Sequence, residues 1–202
     1  MRCRRHGSDL LMIQQNGMFP GDPPAGDPVG RPYSGCIHEV IMASEKIEKL
    51  RAKLAEARDV LNTVLDQVGD RWDRQVYSDG AGWTVYQLLI HLMISDRGQT
   101  RTVQQIAIGE DPIPADFDLE RYNRRSVEKS VGVTPEAARA ALAESRAELL
   151  TWLETVDEAA LDRQGRHASL NIFSVAQILR MMAIHERDHA NDLAKALGIT
   201  TA

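Results

Sequence analysis

From Met42 onward the apolar residues fall into a helical rhythm. In "MASEKIEKLRAKLAEARDVLNTVLDQVGD", Ile47, Leu50, Leu54, Ala57, Leu61, Val64 and Val68 recur at alternating steps of three and four, one continuous stripe on a helix. Ser44 is the expected cap and Gly69 the expected stop. A second helix is predicted in "GWTVYQLLIHLMISDRGQTRTVQQIAIG". Thr84 and Gln87 form a capping box, Trp83 can staple against Leu88, and the pattern continues to Ile108. A third opens at "TPEA", with Thr134 as cap and Pro135 in the first turn; Leu142, Leu149, Leu153 and Val156 mark its buried face. A fourth opens at "SVAQ", where Ser174 and Gln177 repeat the capping box, Phe173 can staple onto Ile178, and Gly198 ends the helix.

The connections are uneven. "GEDPIPADFDLERYNRRSVEKSVGV" is long and predicts a short helix around "LERYNRRSVEK"; "DEAALDRQGRHASLNIF" links the third long helix to the fourth. No segment carries a convincing strand pattern. Four long amphipathic helices predict an all-α four-helix bundle, and the long crossovers permit a non-sequential order. Residues 1–41 differ from the rest: "MFPGDPPAGDPVGRPYSG" is rich in Pro and Gly without helical period. They are expected to be a disordered N-terminal tail or an upstream extension of the reading frame, with Met42 as the natural start and 42–202 as the domain.

Composition narrows the chemistry. The 202 residues are 43% hydrophobic and 26% charged, the profile of a soluble globular domain. A net charge of -5 gives no nucleic-acid footprint. Cys3 and Cys36 are the only cysteines, so the helical body cannot be a disulfide scaffold or a thiolate zinc site, and it supplies no nucleophilic thiol. No run is long and apolar enough for a bilayer, and "LLMI" is too short for a signal-peptide core. A cytoplasmic location is the expectation.

Three histidines interrupt the apolar stripes. Ile178, Met182, His185, His189 and Leu193 keep one rhythm, so His185 and His189 point into the bundle, one above the other. Leu88, His91, Leu92 and Ser95 define the inward face of the second helix. A buried imidazole must satisfy both ring nitrogens or bear a cost, and a shared metal ion does this for several at once. If the helices pack side by side, His91, His185 and His189 offer three neutral nitrogens with an open fourth position, as at a catalytic zinc. All-imidazole ligation also suits nickel, iron or copper. The bland alternative is three core histidines with no ion. His6 and His38 lie in the tail, and His167, in a polar connection, is expected to be solvated.

"HERDH" also fits the His-Glu-x-x-His pattern of zinc metalloproteases. The protease reading fails on the third ligand, because the "ANDLAKALGITTA" that follows has neither Glu nor His. Glu186 lies about 100° around the helix from His185 and need not face a metal. Glu186, Arg187 and Asp188 are expected to be mostly solvated. Asp192 is a candidate acceptor behind His189, while Ser95 and Asp96 are candidates for the pocket wall. Arg97 or Arg187 could hold a ligand carboxylate.

These stretches resemble the DinB-like, YfiT-like metalloenzyme superfamily. "GWTVYQLLIHL" is similar to the signature that opens its second helix, and "HERDHANDLAKAL" to its last-helix His-x-x-x-His motif; "FDLERYNRRSVEK" and "TPEAARAALAESRAELLTWLE" resemble the segments between. The superfamily includes the metal-binding domain of mycothiol-dependent maleylpyruvate isomerase and the bacillithiol transferases. The resemblance covers residues 42–198 and implies a four-helix bundle in up-down-down-up order, often dimeric, with a divalent metal on His91, His185 and His189. In the isomerase branch a glutamate stands where this chain has His185. The implied function is a thiol-dependent S-transferase or isomerase, with zinc or nickel activating a low-molecular-weight thiol, mycothiol for example, as cosubstrate. Two alternatives stay open, a metal-dependent hydrolase and a non-catalytic bundle. The expected partner is a small-molecule substrate, with no nucleic acid or membrane, and a homodimer is a candidate assembly.

Overall fold

The computed structural model describes residues 34–78 and 82–200. Five helices and one hairpin follow in the order α1 (Ser34–Leu65), α2 (Val85–Ala107), α3 (Leu119–Lys129), α4 (Pro135–Thr155), β1 (Gln164–Arg166), β2 (Ile172–Ser174) and α5 (Val175–Leu197). Short 3-10 turns at Arg71–Asp73 and Glu158–Asp162 lead into α2 and the hairpin. Both predicted capping boxes are present, Thr84 with Gln87 and Ser174 with Gln177. Asp118 and Thr134 cap α3 and α4 through their side chains, and α5 ends on Gly198 in the left-handed conformation, φ 68°.

Three expectations are corrected. α1 begins at Ser34, so Ser44 lies inside it and does not cap it. α1 also ends at Leu65, and the chain makes two further turns before Gly69. The last connection holds the antiparallel hairpin β1–β2, with Gly165 opposite Phe173. Three-residue strands are too short to show a period of two. Gly165 explains how closely the hairpin docks: a Cβ there would come within 2.5 Å of the Ile106 side chain. Of the tail expected over residues 1–41, residues 34–41 belong to α1 and residues 1–33 lie outside the described residues.

The bundle order follows from which ends share a core. One apolar cluster joins Leu50 and Leu54 of α1, Val103 and Ile106 of α2, Leu149 and Leu153 of α4, and Ile178 and Leu179 of α5. The other joins Leu61 and Val64, Leu88 and Leu89, Ala138 and Leu142, and Ala190 and Leu193 of the same four helices. Along the chain α1 and α5 run from the first cluster to the second, and α2 and α4 run the opposite way. This is the up-down-down-up order, and α3 spans the long crossover that lets α2 and α4 run parallel. Fully buried side chains such as Leu54, Leu89 and Ile178 each contribute about 1.5–3 kcal/mol. Among the described residues no helix is long and apolar enough to cross a membrane.

A layer of charge separates the two clusters. Arg58, Asp96, Arg146 and Glu186 come one from each bundle helix and are all buried. Arg146 Nη2 donates to Asp96 Oδ1 and Glu186 Oε2, both at 2.6 Å. Arg58 donates to Glu186 and lies 3.3 Å from Asp96 Oδ1. Each arginine also reaches a main-chain carbonyl of the other's helix, Arg58 that of Leu142 and Arg146 that of Leu54, both at 2.5 Å. Burial works against the Arg146 charge, but Asp96 and Glu186 outweigh it and hold its pKa above the ordinary value.

Candidate metal centre

His91 on the α2 helix and His185 and His189 on the antiparallel α5 helix meet beside the second cluster. His185 Nε2 lies 3.2 Å from His91 Nε2 and 3.0 Å from His189 Nε2, and one ligand nitrogen from each ring falls within 4.8 Å of the others. A tetrahedral ion with bonds of about 2.0–2.1 Å needs its nitrogens about 3.3 Å apart, so the donor set fits a divalent metal. The protein keeps the three rings neutral. Burial, then the neighbouring imidazoles, lower the pKa of His91 to about 3. Burial first, then His189 and His167, lowers His185 to about 4. Burial also lowers His189, opposed by Asp192 and Asp188. Neutral imidazoles are what metal ligation requires.

The surroundings orient these rings. Tyr77 donates its hydroxyl proton to Asp192 Oδ2 at 2.6 Å, and the same oxygen lies 2.8 Å from His189 Nδ1. With the phenol proton on Asp192, the phenol oxygen accepts from His189 Nδ1–H. The Nε2 lone pair is then left facing the other two histidines. Burial, then Asp192, pushes the Tyr77 pKa up, so it keeps its proton. The loop that carries Tyr77 is pinned to the start of α2 by Val76 N–H to the Trp83 carbonyl and Val85 N–H to the Arg74 carbonyl, both 2.9 Å. Trp83 covers His91, ring centroids 4.6 Å apart, and Ser95 Oγ lies 3.5 Å from His91 Nε2.

His91 and His185 open onto a cleft of about 390 Å³. Its floor is α2, its far wall is the α2–α3 connection with α3, and the hairpin turn closes one side through His167 and Ala168. No carboxylate lines it among the described residues.

A family model described as the DinB superfamily matches residues 53–193. The chain belongs to the DinB superfamily. The fold of this DinB-superfamily chain is similar to a solved structure titled "YfiT from Bacillus subtilis is a probable metal-dependent hydrolase with an unusual four-helix bundle topology". The TM-score is 0.54 at 19% identity, covering 87% of this chain and 95% of that one. No curated protein matches.

Placed in this DinB fold, the other residues singled out in the sequence separate. Ser95 lines the cleft. Asp192 stands behind His189, with its Oδ2 3.7 Å from Nδ1. Asp96 does not line the cleft; it is held in the charged layer, next to a void of about 10 Å³ that it shares with His185. Glu186, expected to be solvated, is 3% exposed because both buried arginines bind it. Arg187 pairs with Glu56 on the surface, and Arg97 lines an adjoining groove with Glu144 and Glu148. Neither reaches the histidines. His167, expected to be solvated, lines the cleft, and burial lowers its pKa. Tyr77 was missed: its segment has no period, and only the folded loop brings it to His189. Arg58 and Arg146 were also missed, although a signal was there. Arg146 falls four residues after Leu142 and three before Leu149, and Arg58 four after Leu54 and three before Leu61, which are stripe positions.

Proposed function

We propose that this chain is a metal-dependent enzyme in which His91, His185 and His189 hold one divalent ion, zinc or nickel, and a low-molecular-weight thiol is activated for S-transfer or isomerisation. The observation that carries the reading is three neutral imidazoles converging at the mouth of a cleft that, among the described residues, no carboxylate lines. A bound divalent ion supplies the acidity: a coordinated thiol loses its proton outright at neutral pH and needs no side-chain base. Water activation is usually helped by a neighbouring carboxylate base, and the nearest ones here are engaged. Asp96 and Glu186 hold arginines, and Asp192 accepts from Tyr77. Tyr77 and Trp83 fix two of the three rings, and Ser95 places a hydroxyl beside His91. Hydrolysis is the second reading, favoured by the likeness to YfiT.

The first test is elemental analysis of the full chain and of His91→Ala. About one divalent ion per chain in the parent and none in the variant is expected. No metal in either, after reconstitution with zinc and with nickel, would overturn both enzymatic readings. With metal present, the loaded protein should consume a small thiol in the presence of an electrophile. Turnover of ester or amide substrates without thiol would replace the first reading by the second.

A further inference from the structure

The cleft is more specific than a metal centre requires. Its α2 floor is laid down turn by turn: His91, Ser95, Gly98, Thr102 and Gln105 all line it, at successive steps of four, three, four and three. The cleft therefore follows α2 for about 21 Å, fourteen residues at 1.5 Å each. Its walls are apolar along much of that length, with Ile113, Phe117, Leu119 and Met181. Arg101, an exposed residue on the rim shared with the groove of Glu144 and Glu148, is the one permanently charged side chain among the lining residues. Among the described residues it has no carboxylate within ion-pair distance, unlike Arg51, Arg58, Arg139, Arg146, Arg166 and Arg187.

Position sets a length. Arg101 is ten residues beyond His91, about 15 Å along the axis. Both side chains lean back toward the helix N-terminus, so that separation largely carries over to the guanidinium and the imidazole, and about 3 Å of contact at each end leaves about 9 Å for the ligand's chain. A largely apolar cleft with neutral nitrogens at one end and a cation without an ion-pair partner farther along it selects a molecule of matching polarity.

We propose that the cleft binds a chain-like carboxylate of about eight carbons: acid group on Arg101, apolar body on Phe117, Leu119 and Met181, reacting end at the three histidines. Its reacting end rests on the metal-centre reading; its acid end does not. A guanidinium holds a carboxylate through two parallel N–H donors, a geometry that lysine or a neutral donor does not reproduce.

The test separates the two ends. The metal-free full chain is titrated calorimetrically with octanoate and with 1-octanol. Octanoate should bind about tenfold more tightly, the gain from a charge-assisted contact. Arg101→Gln should abolish that preference and leave octanol unchanged. Gly98→Leu, at a position where an added Cβ meets nothing within 4 Å, should weaken both ligands by filling the channel. In a second arm, ω-mercaptocarboxylates of increasing length are added to the cobalt(II)-loaded chain and the thiolate-to-cobalt absorption is followed. Affinity should peak near eight carbons and lose that peak in Arg101→Gln. Equal binding of octanoate and octanol by the parent, or equal weakening of both by Arg101→Gln, overturns the proposal. An octanoate preference in a chain that takes up no cobalt would sustain the acid end while the metal reading fails.

Discussion

Two polar insertions interrupt the same apolar core, and they are built on opposite principles. The layer of Arg58, Asp96, Arg146 and Glu186 contains two cations and two anions, each contacted by an oppositely charged partner within the layer. The cluster of His91, His185 and His189 contains three groups of one kind, all basic, with their nitrogens turned toward one another. The first meets its charges internally and ties one residue of each bundle helix to the others. The second offers three lone pairs to one point and has no cation of its own to receive them. A buried polar group is either matched by the fold or left for a ligand. In this bundle the two cases sit side by side: Glu186 and His185 are adjacent in sequence yet belong to different layers.

The largest effect should come from unbalancing the charged layer. Glu186→Ala leaves Arg58 and Arg146 buried with Asp96 alone and should cost about 3–5 kcal/mol, measured by denaturant unfolding. Replacing all four residues together with apolar side chains of similar volume should restore most of that stability. His185→Ala in the metal-free chain should cost much less, since it removes a neutral ring that burial already disfavours in its charged form. If the two single substitutions prove equal, the distinction between a matched layer and a waiting one fails.

Added zinc sharpens the same contrast from the ligand side. A ligand bound only by the folded chain stabilises it by about 2.7 kcal/mol at a hundredfold excess over Kd. The parent should gain that in thermal unfolding, and His91→Ala should gain nothing. Glu186→Gln, weaker at the outset, should still show the zinc gain, because the charged layer donates no ligand. Loss of the gain in Glu186→Gln would make the two layers one site.

How far these layers could be read from sequence differs in the same way. The starts of α2 and α5 were legible because a capping box is local: Thr84 with Gln87 and Ser174 with Gln177 need only their own turn. The histidines were legible because they occupy positions where the period demands an apolar side chain. The charged layer obeys that rule too, at Arg58 and Arg146, but a long arginine is equally at home on a helix flank. Only the packing of all four helices shows that carboxylates from α2 and α5 face them. The hairpin and Tyr77 had no periodic signal to find; their positions depend on contacts far apart in sequence.

Acid should reveal the buried histidines. His91 and His185 have folded pKa values of about 3 and about 4, below the ordinary 6.5. Between pH 6.5 and 4 the unfolded chain therefore takes up protons that the folded metal-free chain does not. The free energy of unfolding falls as pH falls through that window, and the stability is fully present only above it. The loss should amount to several kcal/mol, followed by urea unfolding at each pH. A His91→Leu, His185→Leu double variant should flatten the slope while keeping the charged layer. An unchanged slope would place its origin elsewhere.

The smallest effect tests whether the cluster is oriented as well as assembled. Tyr77→Phe keeps the ring in place but removes the oxygen that accepts from His189 Nδ1 and donates to Asp192. His189 can then carry its proton on Nε2, the tautomer that cannot ligate, and Asp192 loses its donor. Partners of this kind behind a ligating histidine are typically worth 10–100-fold in metal affinity, and the lower end is expected because two other imidazoles remain. Zinc competition with a chromogenic chelator would measure the loss. Unfolding of the metal-free variant should shift by no more than about 1 kcal/mol, the net value of one hydrogen bond. A weakened metal-free fold with unaltered zinc affinity would assign Tyr77 to the packing of its loop against α2 and leave the orientation of His189 to α5 itself.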